Sequence, residues 1–408
     1  MRKLFSYLTF IGVIVFSLLS VTSCKTNNDD KAKYIFLFIG DGMGLGQVSL
    51  AESYLSYQDG KIGGASLSFT QFPVYGFCTT YSADHHITCS AAAGTAIACG
   101  EKTNNGFVGV NPAGDHLESV AGVLKKEGYK VGIMTNVQVN HATPATFYAH
   151  QSDRNNYYEI CQELPLSGFE FFGGSGFYKP CGKNGDREPL GEYVEGKGYE
   201  VCYGVEEFDS IKDSADRVVF IQESGRKGDT DFYESNGVNE GDISLGAMMN
   251  LALDFLGDDE PFFIMCEGGG IDWAGHHNKT VEIIRQVLDL EDAVDAALEF
   301  YSRHQDETLI LVTADHETGG LVLGHGYEPG APGNFRWNLI EEQWRESKGR
   351  KTLPFEENRT LNNSVHIGWT TNHHTAMPVP LYAKGKGAER FGGRLDNTEI
   401  KNLILGNF

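Results

Sequence analysis

Carboxylates and histidines gather at three places in this chain, each directly after an apolar run. Ile39 leads into Gly40-Asp41-Gly42. Cys266 leads into Glu267, three glycines, Ile271 and Asp272, with His276 and His277 close behind. Thr313 leads into Ala314-Asp315-His316-Glu317. One carboxylate after a strand is explained by a turn or a helix N-cap. Three such places, two of them carrying histidine, point instead to metal-ligand chemistry. Aspartate with histidine is a zinc donor set, and open zinc sites serve hydrolysis. The chain has no C-x-x-C pair, so a thiolate zinc site is not expected.

The elements that must hold these groups are readable in outline. Short, continuously apolar runs at 34–39, 130–135, 218–221, 262–266 and 309–313 predict strands buried on both faces, as in parallel sheets. Helical spacing predicts helices over 118–127, 243–256 and 281–300, the last with Ile284, Val287, Leu288, Val294 and Leu298 on one side. Alternation of the two predicts an α/β fold, a doubly wound and mostly parallel central sheet with helices on both faces. In such sheets, sites form at the carboxyl ends of strands, where the three acidic segments lie. Residues 161–216 and 326–370 break the alternation and read as loop-rich insertions on one domain spanning 34–408. No internal repeat is visible.

Acidic residues outnumber basic ones by 55 to 33 among 408, a formal net charge of −22. Such a balance argues against non-specific nucleic-acid binding, which needs Lys and Arg on phosphates. It leaves room for an anionic substrate drawn by bound cations. The 50 glycines show no collagen-like period and read as tight loops between compact elements. At the amino end, Arg2 and Lys3 precede an apolar run that closes on Val21-Thr22-Ser23-Cys24. This is the pattern of a secretory signal, and small residues before a cysteine resemble a bacterial lipoprotein signal. The expected product starts at a lipidated Cys24, with 24–33 as a polar tether, exported and anchored on the periplasmic face or cell surface. A single membrane-spanning anchor is the alternative. Of the other seven cysteines, Cys161, Cys181 and Cys202 are the disulfide candidates, while Cys99 and Cys266 read as buried thiols.

Taken together these segments resemble the alkaline phosphatases, over most of residues 34–380. Ile39-Gly40-Asp41-Gly42-Met43-Gly44 is similar to the family's first metal loop, and Thr88-Cys89-Ser90-Ala91-Ala92-Ala93-Gly94-Thr95-Ala96 to its nucleophile segment. Lys102-Thr103-Asn104-Asn105-Gly106, His141-Ala142-Thr143-Pro144-Ala145, Arg154, Glu267 to Asp272 with His276, Thr313 to His316, and His374-Thr375 follow in the family's order. The resemblance implies hydrolysis of phosphate monoesters through a phosphoserine on Ser90. It implies one zinc on Asp272, His276 and His374, and a second on Asp41, Asp315, His316 and Ser90. A magnesium would sit on Asp41, Thr143 and Glu267. Arg154 would clamp phosphate oxygens, with His141 and Trp273 behind the ligands. It also implies a homodimer, though no interface is readable. Local chemistry agrees at Ser90: residues 91–99 favour helix and Gly100 ends it. Ser90 would then stand at a helix N-terminus, a natural phosphate site, or serve simply as the N-cap. His277 and His373 are one-residue rivals of the chosen ligands, and His85 and His86 the only histidines near Ser90 in sequence.

Some positions depart from the best-known bacterial pattern. Cys89 replaces an aspartate, His141 and Trp273 replace Asp and Lys found in some members, and Thr318 replaces a histidine. Cys89 raises a sulfatase reading, but that motif needs Arg four residues on, where Ala93 stands. A phosphodiesterase of the same superfamily is the closer rival. A non-enzymatic, lipid-anchored metal- or phosphate-binding surface protein would leave Ser90 idle.

Overall fold

A computed structural model describes residues 31–227, 241–326, 335–346 and 355–407. The signal segment, Cys24 and most of the tether lie outside the described residues, as do 327–334 and 347–354 of the second expected insertion.

The fold is built on one ten-stranded sheet. Its strands are β1 Tyr34–Gly40, β2 Val74–Thr79, β3 Lys130–Thr135, β4 Phe171–Gly174, β5 Glu200–Tyr203, β6 Val218–Ile221, β7 Phe262–Gly268 and β8 Thr308–Thr313. Two minor pairs interrupt the numbering: β9 Glu317–Thr318 with β12 His374–Thr375, and β10 Leu321–Leu323 with β11 Ile367–Trp369. The main sheet closes with β13 Val379–Gly385 and β14 Gly393–Asp396, in the order β14-β2-β13-β8-β1-β7-β3-β4-β6-β5. Every neighbouring pair is parallel except those of β13, which runs against both β8 and β2.

All seven residues of β1 and of β7 are buried, and all six of β8. That is why these segments are apolar without alternation. Their register sets the site: Ile39 lies opposite both Glu267 and Thr313, and Gly40 opposite Gly268. Three parallel strands therefore end together and deliver Asp41, Glu267 and Asp315 to one edge. The turn after β1 needs Gly42, whose φ is +75° and whose Cβ would stand 2.8 Å from Thr318 Oγ1.

The expected helices form with shifted ends. They run Val120–Lys126, capped by Ser119 Oγ accepting from Gly122 N; Leu245–Leu256, capped by Ser244; and Thr280–Arg303. The long helix packs on β1 and β7. Residues 161–216 hold more regular structure than a loop-rich stretch would: β4 and β5 extend the sheet there, with short helices Leu190–Glu195 and Gly204–Ile211. Each strand has four residues, too few for a clear periodic signal. In the second stretch, Trp337 packs its ring 5.9 Å from Tyr54. The seven described cysteines are all free thiols. The disulfide expected among Cys161, Cys181 and Cys202 is therefore absent. Cys161 and Cys202 are buried, Cys202 with its Sγ 3.8 Å from Val219 O. No helix among the described residues is long and apolar enough to cross a membrane.

Phe36 joins sheet to helix. It is fully buried, with its ring 5.3 Å from Phe262 and 5.7 Å from Phe300. Phe36→Ala should cost about 3–5 kcal/mol of unfolding free energy in a urea titration. An unchanged midpoint would contradict this account of the core.

Candidate active site

Main-chain carbonyls turn two histidines inward. His276 Nδ1 lies 2.7 Å from Asn372 O, and His374 Nδ1 lies 2.9 Å from Thr88 O. A carbonyl only accepts, so each Nδ1 carries its proton and each Nε2 faces the other, 3.2 Å away. Nitrogens that close need a cation or a proton between them. Asp272 completes the group: its Oδ2 is 3.3 Å from His276 Nε2 and its Oδ1 3.5 Å from His374 Nε2. His277 bonds the Trp273 carbonyl at 2.8 Å and is exposed, and His373 is exposed too. The local turn thus selects His276 and His374 over their neighbours.

The third histidine, His316, is oriented by Thr318. Thr318 Oγ1 donates to Asp272 Oδ1 at 2.5 Å and so can accept from His316 Nδ1 at 3.2 Å. His316 Nε2 then faces Ser90 Oγ at 3.2 Å, Asp315 Oδ2 at 3.2 Å and Asp41 Oδ1 at 3.4 Å. Asp41, Asp272 and His316 offer ligand atoms within 4.8 Å of one another, as do Asp272, His276 and His374. Asp41, Glu267 and His141 form a further such group. The last brings in His141, which the sequence placed behind the ligands rather than among them. Thr143 Oγ1 donates to Asp41 Oδ2 at 3.2 Å, and Thr135 Oγ1 donates to Glu267 Oε2.

Three carboxylate oxygens, Asp41 Oδ1, Glu267 Oε1 and Asp315 Oδ2, are buried with no hydrogen-bond donor. A buried charge without a partner is expensive, and oxygens and imidazole nitrogens converging here are the donors of zinc and magnesium. The residues fit divalent cations.

Electrostatics agree. Burial, then the neighbouring Asp315 and Asp272, push Asp41 well above the ordinary carboxylate range. Burial raises Asp315 to about 8, with Asp272 adding to it. Burial raises Glu267 to about 7 against the opposing bond from Thr135. Burial would raise Asp272 too, but the His276 bond and the surrounding histidines outweigh it and hold Asp272 low. Burial would lower His276, yet the bond and charge of Asp272 lift it to about 9.

Ser90 opens the helix Ser90–Cys99, and Cys89, with φ −120°, is its N-cap. Ser90 is therefore the first helical residue, not the cap, and is 2% exposed. Gly100 ends the helix at φ 75°. The fork of Arg154 is half-buried, with Nη2 3.4 Å from His141 Nε2. Among the described residues no carboxylate pairs with it. Trp273 stands edge-on to the His141 ring at 5.9 Å. His85 pairs with Asp84 on the surface, and His86 is exposed; neither joins the site. Thr318 stands out in the sequence only as a replacement for histidine; its bonds to Asp272 and His316 become visible where those two residues meet around it.

His276, Asp315 and Glu267 must shed protons before they bind a cation, so uptake should strengthen as pH rises from 6 to 9. For each proton displaced, affinity should rise on the order of tenfold per pH unit. Calorimetric zinc titration of chelator-treated protein, in buffers of different ionisation enthalpy, counts those protons. Uptake independent of pH would refute the assignment.

The family model for alkaline phosphatase matches residues 32–170 and 225–406. Alkaline phosphatase 3 of Bacillus subtilis (strain 168) is 30% identical, over 93% of this chain and 90% of its own. The cold-active alkaline phosphatase of the psychrophile Shewanella sp. superposes with a TM-score of 0.78 at 25% identity, covering 91% of this chain and 99% of its own. A histidine-to-aspartate mutant of the TAB5 alkaline phosphatase, solved with magnesium bound, gives 0.72 at 28% identity, covering 92% and 98%.

Proposed function

The chain belongs to the alkaline phosphatase family and is a phosphatase, and on that premise we propose that it hydrolyses phosphate monoesters through a phosphoserine on Ser90. The observation that carries the reading is Ser90 Oγ itself. It is buried at a helix N-terminus, 3.2 Å from His316 Nε2, beside carboxylates that need cations.

A serine hydroxyl is a weak nucleophile until a base or metal activates it. Zinc held by Asp272, His276 and His374 and a second zinc held by Asp41, Asp315 and His316 would neutralise the oxygens leaving and attacking phosphorus, while magnesium held by Asp41, Thr143 and Glu267 would help deprotonate Ser90 or stabilise the transferring group. The chain's own part is positional. The amides at the start of helix Ser90–Cys99 face an incoming phosphate and favour its charge. The planar fork of Arg154 takes two non-bridging oxygens and holds phosphorus in line with Ser90 Oγ. Burial pushes His141 down to about 3, so the imidazole beside that fork stays neutral and does not repel it. Ser90 Oγ gives up its proton and forms the new bond to phosphorus as the ester P–O bond breaks, and the substrate oxygen takes up a proton and leaves as the alcohol. Water opens the phosphoserine and releases inorganic phosphate.

We also propose that the chain is exported and lipid-anchored through Cys24, on the sequence pattern of residues 1–24 alone. Cys24→Ala should move the protein from the membrane fraction to the soluble one. Retention in the membrane would favour a spanning anchor.

Purified protein should cleave p-nitrophenyl phosphate at alkaline pH and lose activity with a chelator. Ser90→Ala should lower kcat by about 1,000-fold or more. Unchanged monoester turnover in that variant would sink the nucleophile assignment. A strong preference for a diester over the monoester would move the protein to the phosphodiesterase reading.

A further inference from the structure

We propose that Asn105 is a positioning residue that sets the phosphate clamp Arg154 against the nucleophile Ser90. The proposal rests on the reading of Ser90 and Arg154 given above. Asn105 belongs to the segment Lys102-Thr103-Asn104-Asn105-Gly106, whose contribution to the site is not explained by any ligand.

The Asn105 amide spans the backbone just before the nucleophile helix. Its Oδ1 accepts from Cys89 N at 3.0 Å, and its Nδ2 donates to Ile87 O at 3.0 Å. Its own backbone N–H donates to Asp84 Oδ1 at 2.9 Å, an oxygen that Ser82 Oγ also reaches at 2.9 Å. The corner is thus held from two sides. Gly106 follows, turning at φ +89°. Its N–H donates to Cys89 Sγ at 3.1 Å, and its carbonyl accepts the Arg154 N–H at 2.8 Å. Two residues on, Val108 and Gln151 exchange both backbone bonds at 2.8 Å each.

Arg154 is therefore welded by main chain to the segment 106–108. That segment is joined to the nucleophile turn through the Asn105 amide and the Cys89 thiol. Cys89 occupies the residue before Ser90 and acts here as an acceptor for Gly106. Truncating Asn105 would leave Cys89 N and Ile87 O without their partner and release the corner from the nucleophile turn. Asn105 touches no ligand group and none of the reacting atoms, so it acts through the residues it holds. Displacement of a positioning element by about 1 Å is enough to cost on the order of 100-fold in rate.

The test is a double-mutant cycle in the full-length, metal-loaded enzyme. Asn105→Ala is made alone and with Arg154→Ala. Three quantities are read: kcat/KM for p-nitrophenyl phosphate, the inhibition constant of inorganic phosphate, and Tm. Alone, Asn105→Ala should lower kcat/KM and weaken phosphate inhibition by about 10- to 100-fold. In the Arg154→Ala background both losses should shrink to about threefold or less, because contacting residues couple and the clamp is already gone. The change in Tm should be the same in both backgrounds. Asn105→Asp keeps the acceptor for Cys89 N and loses the donor to Ile87 O. It should show a smaller loss with the same background dependence, and it carries the comparison if the alanine variant does not fold. Equal losses of activity in both backgrounds would overturn the relay while leaving the clamp intact. An Arg154→Ala protein with unchanged phosphate inhibition would overturn the clamp, and the relay with it.

Discussion

Mutual repulsion among four buried carboxylates is the constraint on which the rest depends. Asp41, Glu267, Asp272 and Asp315 are all nearly free of solvent contact. Asp41 and Asp315 directly follow, and Glu267 lies at the end of, strands that pair in parallel register, so the three cannot move apart without breaking the sheet. Burying one uncompensated charge costs several kcal/mol, and each added like charge raises that cost. The chain answers with positive partners and with cations. Only His276 is held in its protonated form by the cluster; His316 and His374 are pushed by burial toward neutrality. The strongly apolar strands β1, β7 and β8 make this arrangement sustainable. Their packing holds a group of charges that would otherwise push the strand ends apart.

The same constraint explains why so many small polar groups surround the cluster. A ligand histidine must present the correct nitrogen, and the other nitrogen decides which one that is. Here main-chain carbonyls decide it for His276 and His374, while a side chain, Thr318, decides it for His316. Thr318 also bonds Asp272, so the orientation of His316 is tied to a carboxylate that faces the other two histidines. Glu317 works one layer out. Its carboxylate accepts from Gln47, Gly320 and Thr375, which seats β12 and therefore His374 beside β9.

What could be read from the sequence follows from where burial is two-sided. The strands β1, β3, β6, β7 and β8 are largely continuous apolar runs, and the ends of β1, β7 and β8 coincide with the acidic segments. The sheet's other members are short, half-exposed or broken by polar residues. In β2, buried Gly76 and Cys78 alternate with exposed Tyr75 and Phe77, and β13 contains Pro380 and Lys384. Such patterns do not stand out from a loop. The place of His374 was invisible from local sequence for the same reason. It reaches the site because β13 runs antiparallel to β8, bringing the chain just before Val379 to the end where Asp315 lies. The contacts of Asn105 and Thr318 were illegible on different grounds, although both positions lie in or beside segments that resemble the family's motifs. Each is one polar residue whose partners lie 16 and 46 positions away, and no periodicity marks such a contact.

The charge of the chain poses a problem that only local structure solves. A protein at −22 should repel a phosphate dianion. At physiological ionic strength, however, exposed charges are screened beyond about 8 Å, so most of the acidic surface is not felt inside the site. What the substrate meets in the proposed reaction is nearer. It meets the amides of helix Ser90–Cys99, the guanidinium of Arg154 and the cations that the carboxylates demand. The acidic residues thus fall into two groups with opposite consequences. Those on the surface set the net charge and solubility. Those at the strand ends, by needing cations, make a place where an anion is attracted in the proposed reaction.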